Sequence, residues 1–368
     1  MKKMLSLLFV VCLLLAGCGS PGPETVPTTE IPTEVTTEAT AEPTTEPTTV
    51  PTEPPVYYNP LTGEEIDEPY TGRIFANTIC NTQDAVPHVG VNDADILFET
   101  LGSTGVVRCL ALFTDVTKAQ AIGATRSTRM VFNDLVQHYD AVLTHAGGYY
   151  LVLDDANARG IDHFNLDQLY RSTTDPLAAG TGYRETGYKR YSPNNLFAIG
   201  QGIYDYAVSR DINLTQPEDK DYCLTFAEDG TPVSGEDAMQ IRITFGQHTK
   251  RTTMIYDEAS GKYTFNQYGK LMTDVYTGEP ETFRNVLVLR AENTWTSIYP
   301  VVDLVTGGEG YFACGGKYIP ILWNCADENS PLRFTTVDGE PLDLGVGNSY
   351  IAIINYTNEV EIFAEKPE

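Results

Sequence analysis

Residues 19–55 read "GSPGPETVPTTEIPTEVTTEATAEPTTEPTTVPTEPP", a run of proline, threonine and glutamate almost without large apolar side chains. Such a segment cannot bury enough surface to offset the entropy of ordering, so it is expected to stay disordered. Its prolines favour an extended chain of about 3.1 Å per residue, a reach on the order of 100 Å. We read residues 18–57 as a stalk, or as a plain tether. Whatever folds must follow it. That leaves about 310 residues, more than one typical core organises, which predicts two domains, 58–215 and 216–368.

The residues before the stalk say where it starts. Met1-Lys2-Lys3 is a short cationic lead, and Leu5 to Leu15 is an apolar run too short to span a bilayer comfortably. It ends in Leu15-Ala16-Gly17-Cys18, which resembles a bacterial lipoprotein signal. On this reading residues 1–17 are removed and Cys18 is acylated. The bilayer is then a partner, and the chain sits on the extracytoplasmic face of the membrane. Two acyl chains hold where one would not, at about 0.8 kcal/mol per buried methylene. A spacer of this length suits a Gram-positive-type surface.

With 24 Lys+Arg against 50 Asp+Glu, the formal charge is -26. That excludes nucleic acid and polybasic docking on anionic lipid as partners; a protein partner is not specified. Beyond Cys12 and Cys18 there are five cysteines, Cys80, Cys109, Cys223, Cys314 and Cys325, an odd number with no CxxC spacing. Cys314 and Cys325 are one pair that an oxidising exterior would allow to bond. His88, His138, His163 and His248 show no paired metal spacing, and GxSxG, P-loop and HExxH patterns are absent. Neither a metal nor a cofactor is expected.

"DADILFET" and "GVVRCLALFTD" have strand length and flank Gly102-Ser103-Thr104-Gly105, which predicts a hairpin in a buried sheet. "AIGAT" is a further short strand. Ser127 is placed to cap a helix running through Tyr139, and "DAVLTHAGG" a strand ending at His145. A second helix is expected from Tyr149 to Arg159, stopped by Gly160, and a third from about Asn194 to Val208. From Ala238 onward short apolar runs alternate with turn signals such as Ala259-Ser260-Gly261 and Asp338-Gly339. The fold class is therefore α+β, a mixed α/β N-terminal domain followed by a mostly β C-terminal one.

"AIGATRSTRMVFNDL" concentrates scarce positive charge at a strand-to-helix junction. Free backbone N–H groups and the positive dipole end favour an anion there. Arginine does not help that end of a helix, whereas a guanidinium grips carboxylate or phosphate two-pronged. Arg126, Ser127 and Arg129 are thus candidate ligand-binding residues, unless the arginines simply neutralise acids such as Asp95, Glu99 or Asp134. A right-handed crossover would open "HAGG" at the same sheet edge, adding His145, Gly147 and Gly148. His145 is either a donor or base in that crevice or a structural histidine. Arg184, Arg190 and Asn195 lie in a long Gly- and Tyr-rich segment. There Tyr183, Tyr188 and Tyr191 either stack on sugars or pack the loop.

The motifs "DADILFETLGSTGVVRCLALF", "IGATRSTRMVFNDL", "YDAVLTHAGG", "RYSPNNL", "YGKLMTDVYTGE", "NVLVL" and "GEGYFACGGKYIPILW" occur in one order. In these the chain resembles the YerB-like lipoprotein family over nearly its whole length after the stalk. The resemblance implies a mixed N-terminal and a β-rich C-terminal domain, and no activity, since none is established for the family. Asn194 and Met272 stand where that family usually carries histidine, so no mechanism through those imidazoles carries over. The function expected is binding of an anionic, phosphate- or carboxylate-bearing envelope ligand. The alternative is an enzyme on phosphate-linked wall precursors. The order of elements resembles LytR-CpsA-Psr glycopolymer transferases, in which arginines clamp a pyrophosphate and an acid holds a metal. Asp95 and Glu99, with His145, would be the catalytic candidates.

Overall fold

The computed structural model describes residues 55–186, 190–246 and 250–366. The signal, Cys18, nearly all of the stalk, Tyr188 and His248 lie outside the described residues.

Strands β1 (Phe75–Cys80), β2 (Ile96–Ser103) and β3 (Val106–Phe113) are buried almost throughout. Strands covered on both faces read as near-continuous apolar runs, and these do. β2 and β3 form the expected hairpin, and β3 pairs antiparallel with β1. Helix α1 (Met130–His138), strand β4 (Val142–His145), helix α2 (Tyr150–Ala158) and strand β5 (His163–Asn165) follow, with β1, β4 and β5 parallel. Gly160 stops α2 with φ of 69°. The third helix, α3, is Gly200–Ser209; the residues before it, Leu196–Ala198, instead pair with Ile122–Gly123.

The second half supplies β6 (Gln240–Phe245), β7 (Lys250–Asp257), β8 (Lys262–Gln267), β9 (Asn285–Arg290), β10 (Gly308–Cys314), β11 (Lys317–Asn324), β12 (Ser349–Ile354) and β13 (Val360–Phe363). β11, β10, β9 and β12 continue the sheet of the first half, giving the order β11-β10-β9-β12-β2-β3-β1-β4-β5 within an 11-stranded sheet. β12 lies parallel to both β9 and β2. Residues 58–215 and 216–368 therefore contribute to one sheet inside one compact unit, residues 54–368. The fold is α+β with few helices and a mostly β second half.

β6, β7, β8 and β13 belong to a second, six-stranded sheet. Its Ile241, Ile243, Phe245, Met254 and Phe265 share a core with Ile79, Leu97, Cys109, Ala111 and Phe113. On the other face Phe98, Leu110, Leu112 and Leu143 pack with Val131, Phe132, Leu135 and Val136 of α1. Each such side chain contributes about 1.5–3 kcal/mol when fully buried. Because β9, β12, β2, β1, β4 and β5 run one way, their carboxyl ends form one edge, and that edge carries the features described next. Among the described residues no helix is long and apolar enough to cross a membrane.

Candidate functional site

Residues 124–128 cross the carboxyl edge between the end of β1 and the turn after β4. Cys80 N donates to Ala124 O at 2.8 Å, Arg126 N to Thr78 O at 3.1 Å, Ala146 N to Arg126 O at 2.9 Å and Thr128 N to Gly147 O at 3.0 Å. "TRST" and "HAGG" therefore lie side by side, as the crossover argument requires. The capping detail differs. Helix α1 begins at Met130, with Arg129 at its N-cap in extended conformation and no side-chain cap. Ser127 Oγ donates instead to Ala146 O at 3.1 Å, because the hydroxyl is drawn to the neighbouring turn.

A third arginine completes the site. Arg108 faces Cys80 across the β1–β3 register and is 3% exposed. Its Nη1 donates to Ser127 O at 2.8 Å. Arg129 donates through Nε to Gly102 O at 2.7 Å and through Nη1 to Thr128 O at 2.8 Å. Among the described residues the Arg126 guanidinium makes no hydrogen bond or ion pair, and the buried Nε atoms of both Arg108 and Arg126 lack partners. Burial, then the Arg129 charge, lowers Arg108 to about 9. Burial, then Arg126, lowers Arg129 to about 10. Three cations thus repel one another; Arg108 and Arg129 bond only to backbone carbonyls and Arg126 to nothing.

The acids that would have neutralised them are engaged elsewhere. Asp95 lies at the opposite, amino edge of β2, accepting from Asn59 Nδ2 at 3.1 Å and Thr114 Oγ1 at 2.9 Å. There it lines an acidic cleft of about 650 Å³ with Glu64, Asp93 and Asp115. Asp134 pairs with Arg159 at 2.6 Å. Glu99 is fully buried between the two sheets. It accepts from Asn81 Nδ2 at 2.7 Å, Thr252 Oγ1 at 2.8 Å, Tyr350 Oη at 2.6 Å and from Lys250 Nζ. Side chains alternate faces along β2, so Glu99 projects away from Arg108. Asp95 and Glu99 are therefore misplaced as catalytic or metal-holding partners of the arginines. Among the described residues no group of three or more His, Cys, Asp or Glu is disposed to hold a metal.

His145 ends β4 and is fully buried. Nδ1 contacts Gly147 O at 2.8 Å and Nε2 contacts His163 Nδ1 at 2.9 Å. Burial, then His163, lowers it to about 4, so the ring is neutral. With both nitrogens engaged it is not a free base; it holds the 145–148 turn. Gly147 has φ of 75° and its N–H donates to Asn165 Oδ1 at 3.0 Å. At Gly148 a Cβ would meet Leu153 at 2.9 Å.

Arg184, Arg190 and Asn195 do not join the edge site. Arg184 bonds Tyr170 Oη at 2.7 Å, Asn195 Oδ1 at 2.8 Å and Asp167 Oδ1 at 2.5 Å. Arg190 pairs with Glu185 at 3.2 Å over the ring of Phe197. Acids and tyrosines of the same irregular segment consume them. Cys314 and Cys325 do not pair either: all five described cysteines are free thiols. Arg108 is the member that sequence reading overlooked. Its signal was a single charge inside "GVVRCLALF", a run otherwise fit for a two-sided core.

One further feature occupies this edge. A cleft of about 1070 Å³ opens beyond Thr100, Leu101, Ile353 and Ile354, bounded by the β2–β3 turn and by a short hairpin, Asn293–Trp295 with Pro300–Val302.

The overall fold agrees with a solved structure, and the sequence with a known family. The chain belongs to the family described as protein of unknown function DUF3048, its N-terminal domain matching residues 61–213 and its C-terminal domain residues 241–351. It is 24% identical over 304 residues to a Bacillus subtilis (strain 168) protein named "Putative lipoprotein YerB", covering 80% of this chain and 85% of that protein. The crystal structure of YerB from Bacillus subtilis has the same fold, with a TM-score of 0.71 at 22% identity over 83% of this chain and 99% of that one.

Proposed function

We propose that this chain is a lipid-anchored protein of the extracytoplasmic membrane face, held at Cys18, that binds an anionic group of the cell envelope through Arg108, Arg126 and Arg129. The observation that carries it is the convergence of three arginines without one carboxylate partner in a chain of charge -26. Guanidinium groups left unpaired and mutually repelling are costly, and a phosphate or carboxylate would relieve that cost with charge-assisted bonds. The lipobox, the name of the Bacillus relative and a Gram-positive-type stalk support the location.

Calorimetric titration of the mature chain with inorganic pyrophosphate and with citrate tests the site. Saturable binding that weakens at least about tenfold in Arg126→Ala/Arg129→Ala is expected; equal affinity in that variant refutes the assignment. Radiolabelled palmitate incorporation that survives Cys18→Ala would refute the anchor.

A further inference from the structure

The 1070 Å³ cleft is chemically unlike the arginine site beside it. Among the described residues Glu359 is its one charged lining residue, although the chain carries 74 charged side chains (24 basic and 50 acidic). Its lining combines hydroxyl- and amide-bearing residues, Thr104, Asn293 and Asn355 among them, with apolar Leu101, Val302, Ile353 and Ile354. Such a surface repels neither sign of charge strongly and suits a ligand that is itself half hydroxyl and half C–H.

What the rim presents points to the ligand class. Trp295 lies on the rim 49% exposed, while the other tryptophan, Trp323, is 2% exposed and donates Nε1–H to Arg290 O at 3.2 Å. A half-exposed indole presents a large flat face, and buried aromatic area dominates most recognition surfaces. The rim is also pre-ordered. Thr296 Oγ1 accepts from Tyr299 N at 3.0 Å and donates to Tyr299 O at 2.8 Å, closing the Trp295 hairpin. Asn355 Nδ2 donates to Asn293 Oδ1 at 3.0 Å, fixing the orientation of the Asn293 amide. Fixing side chains before binding lowers the entropy cost of association.

We propose that this cleft is a saccharide-binding site, with Trp295 stacking on a sugar ring and Asn293 bonding its hydroxyl or amide groups. The assignment stands without the anion site. The two nonetheless flank one turn, since Gly102, whose carbonyl holds Arg129, sits between Leu101 and Thr104. A glycan bearing anionic substituents could therefore engage both.

Trp295 emission in the full mature chain, titrated with chitotetraose and cellotetraose, is the direct test. A saturable blue shift with at least one of them is expected. By calorimetry the affinity falls at least about tenfold in Trp295→Ala and in Asn293→Ala. Absence of saturation with both oligosaccharides overturns the proposal, as does undiminished affinity in both cleft variants. Binding of a Pro/Thr-rich peptide in their place would assign the cleft to a polypeptide and likewise overturn it. Pyrophosphate titration of the same variants reports separately on the arginines.

Discussion

Replacing Arg126 by alanine should make the protein more stable, against the usual direction for removing a partly buried side chain. The guanidinium of Arg126 makes no bond that would be lost. What it does is repel its neighbours. Arg129 is held down to about 10, well below the ordinary guanidinium value, about 3 kcal/mol at 1.36 kcal/mol per pH unit. Burial is the larger cause and Arg126 the next, so the repulsion is under half of this, on the order of 1 kcal/mol. Arg108 is affected by the same cation in the same direction. Loss of the aliphatic stem offsets part of the gain. Urea unfolding should therefore move to a higher midpoint in Arg126→Ala, by about 1 kcal/mol at low ionic strength and by less at high, since salt screens the repulsion. Pyrophosphate should raise wild-type stability by about 2.7 kcal/mol at a hundredfold excess over its Kd, and the variant by clearly less. A variant less stable than wild type by 1 kcal/mol or more would show that the arginine props up the fold, and the reasoning would fail.

Three further outcomes follow from the buried polar groups. His145 and His138 are each lowered to about 4 by burial, so between about 6.5 and 4 the unfolded chain binds more protons than the folded one. Their contribution is full above about 6.5 and is lost as pH falls toward 4, up to about 3 kcal/mol each; a His145→Gln variant with an unchanged pH slope would contradict this. Lys250→Met strands Glu99 and should cost about 3–5 kcal/mol, whereas Glu99→Gln/Lys250→Met should recover much of it, checked by thermal unfolding of both. Of the five described thiols four are buried and Cys223 is half-buried, so under native conditions a thiol reagent should react quickly with Cys223 alone. Fast labelling of the other four would contradict the packing.

How far the sequence could be read depended on whether a feature was local. The β2–β3 hairpin, α1, β4 and α2 follow from apolar runs bounded by glycines such as Gly105 and Gly160, and the structure has them within one to three residues. The β9–β12–β2 association was not legible: parallel pairing between residues far apart has no turn between its partners and so no local signature. That pairing is what makes one sheet of two family segments. At the site, Arg126 and Arg129 stood out because charge at a strand-to-helix junction is locally odd. Arg108 did not, because its importance lies in facing Cys80 across the sheet. Arg184 and Arg190 were over-read for the complementary reason. Asp167 and Glu185, close by in the same irregular segment, were equally visible, but only the folded loop puts acid against base.

β12 carries a consequence for how the molecule is made. It sits between β9 and β2, yet it is synthesised some 245 residues after β2 (from Ser103 to Ser349). Until it arrives β2 is an open edge, with apolar faces and unpaired backbone groups that invite pairing with another chain. The centre of this sheet is thus its last part to be laid down, and its long-range pairings imply slow folding. A nascent chain would pass through a sticky incomplete state. A chain truncated before residue 349 is therefore expected to aggregate, since β2 keeps its open edge.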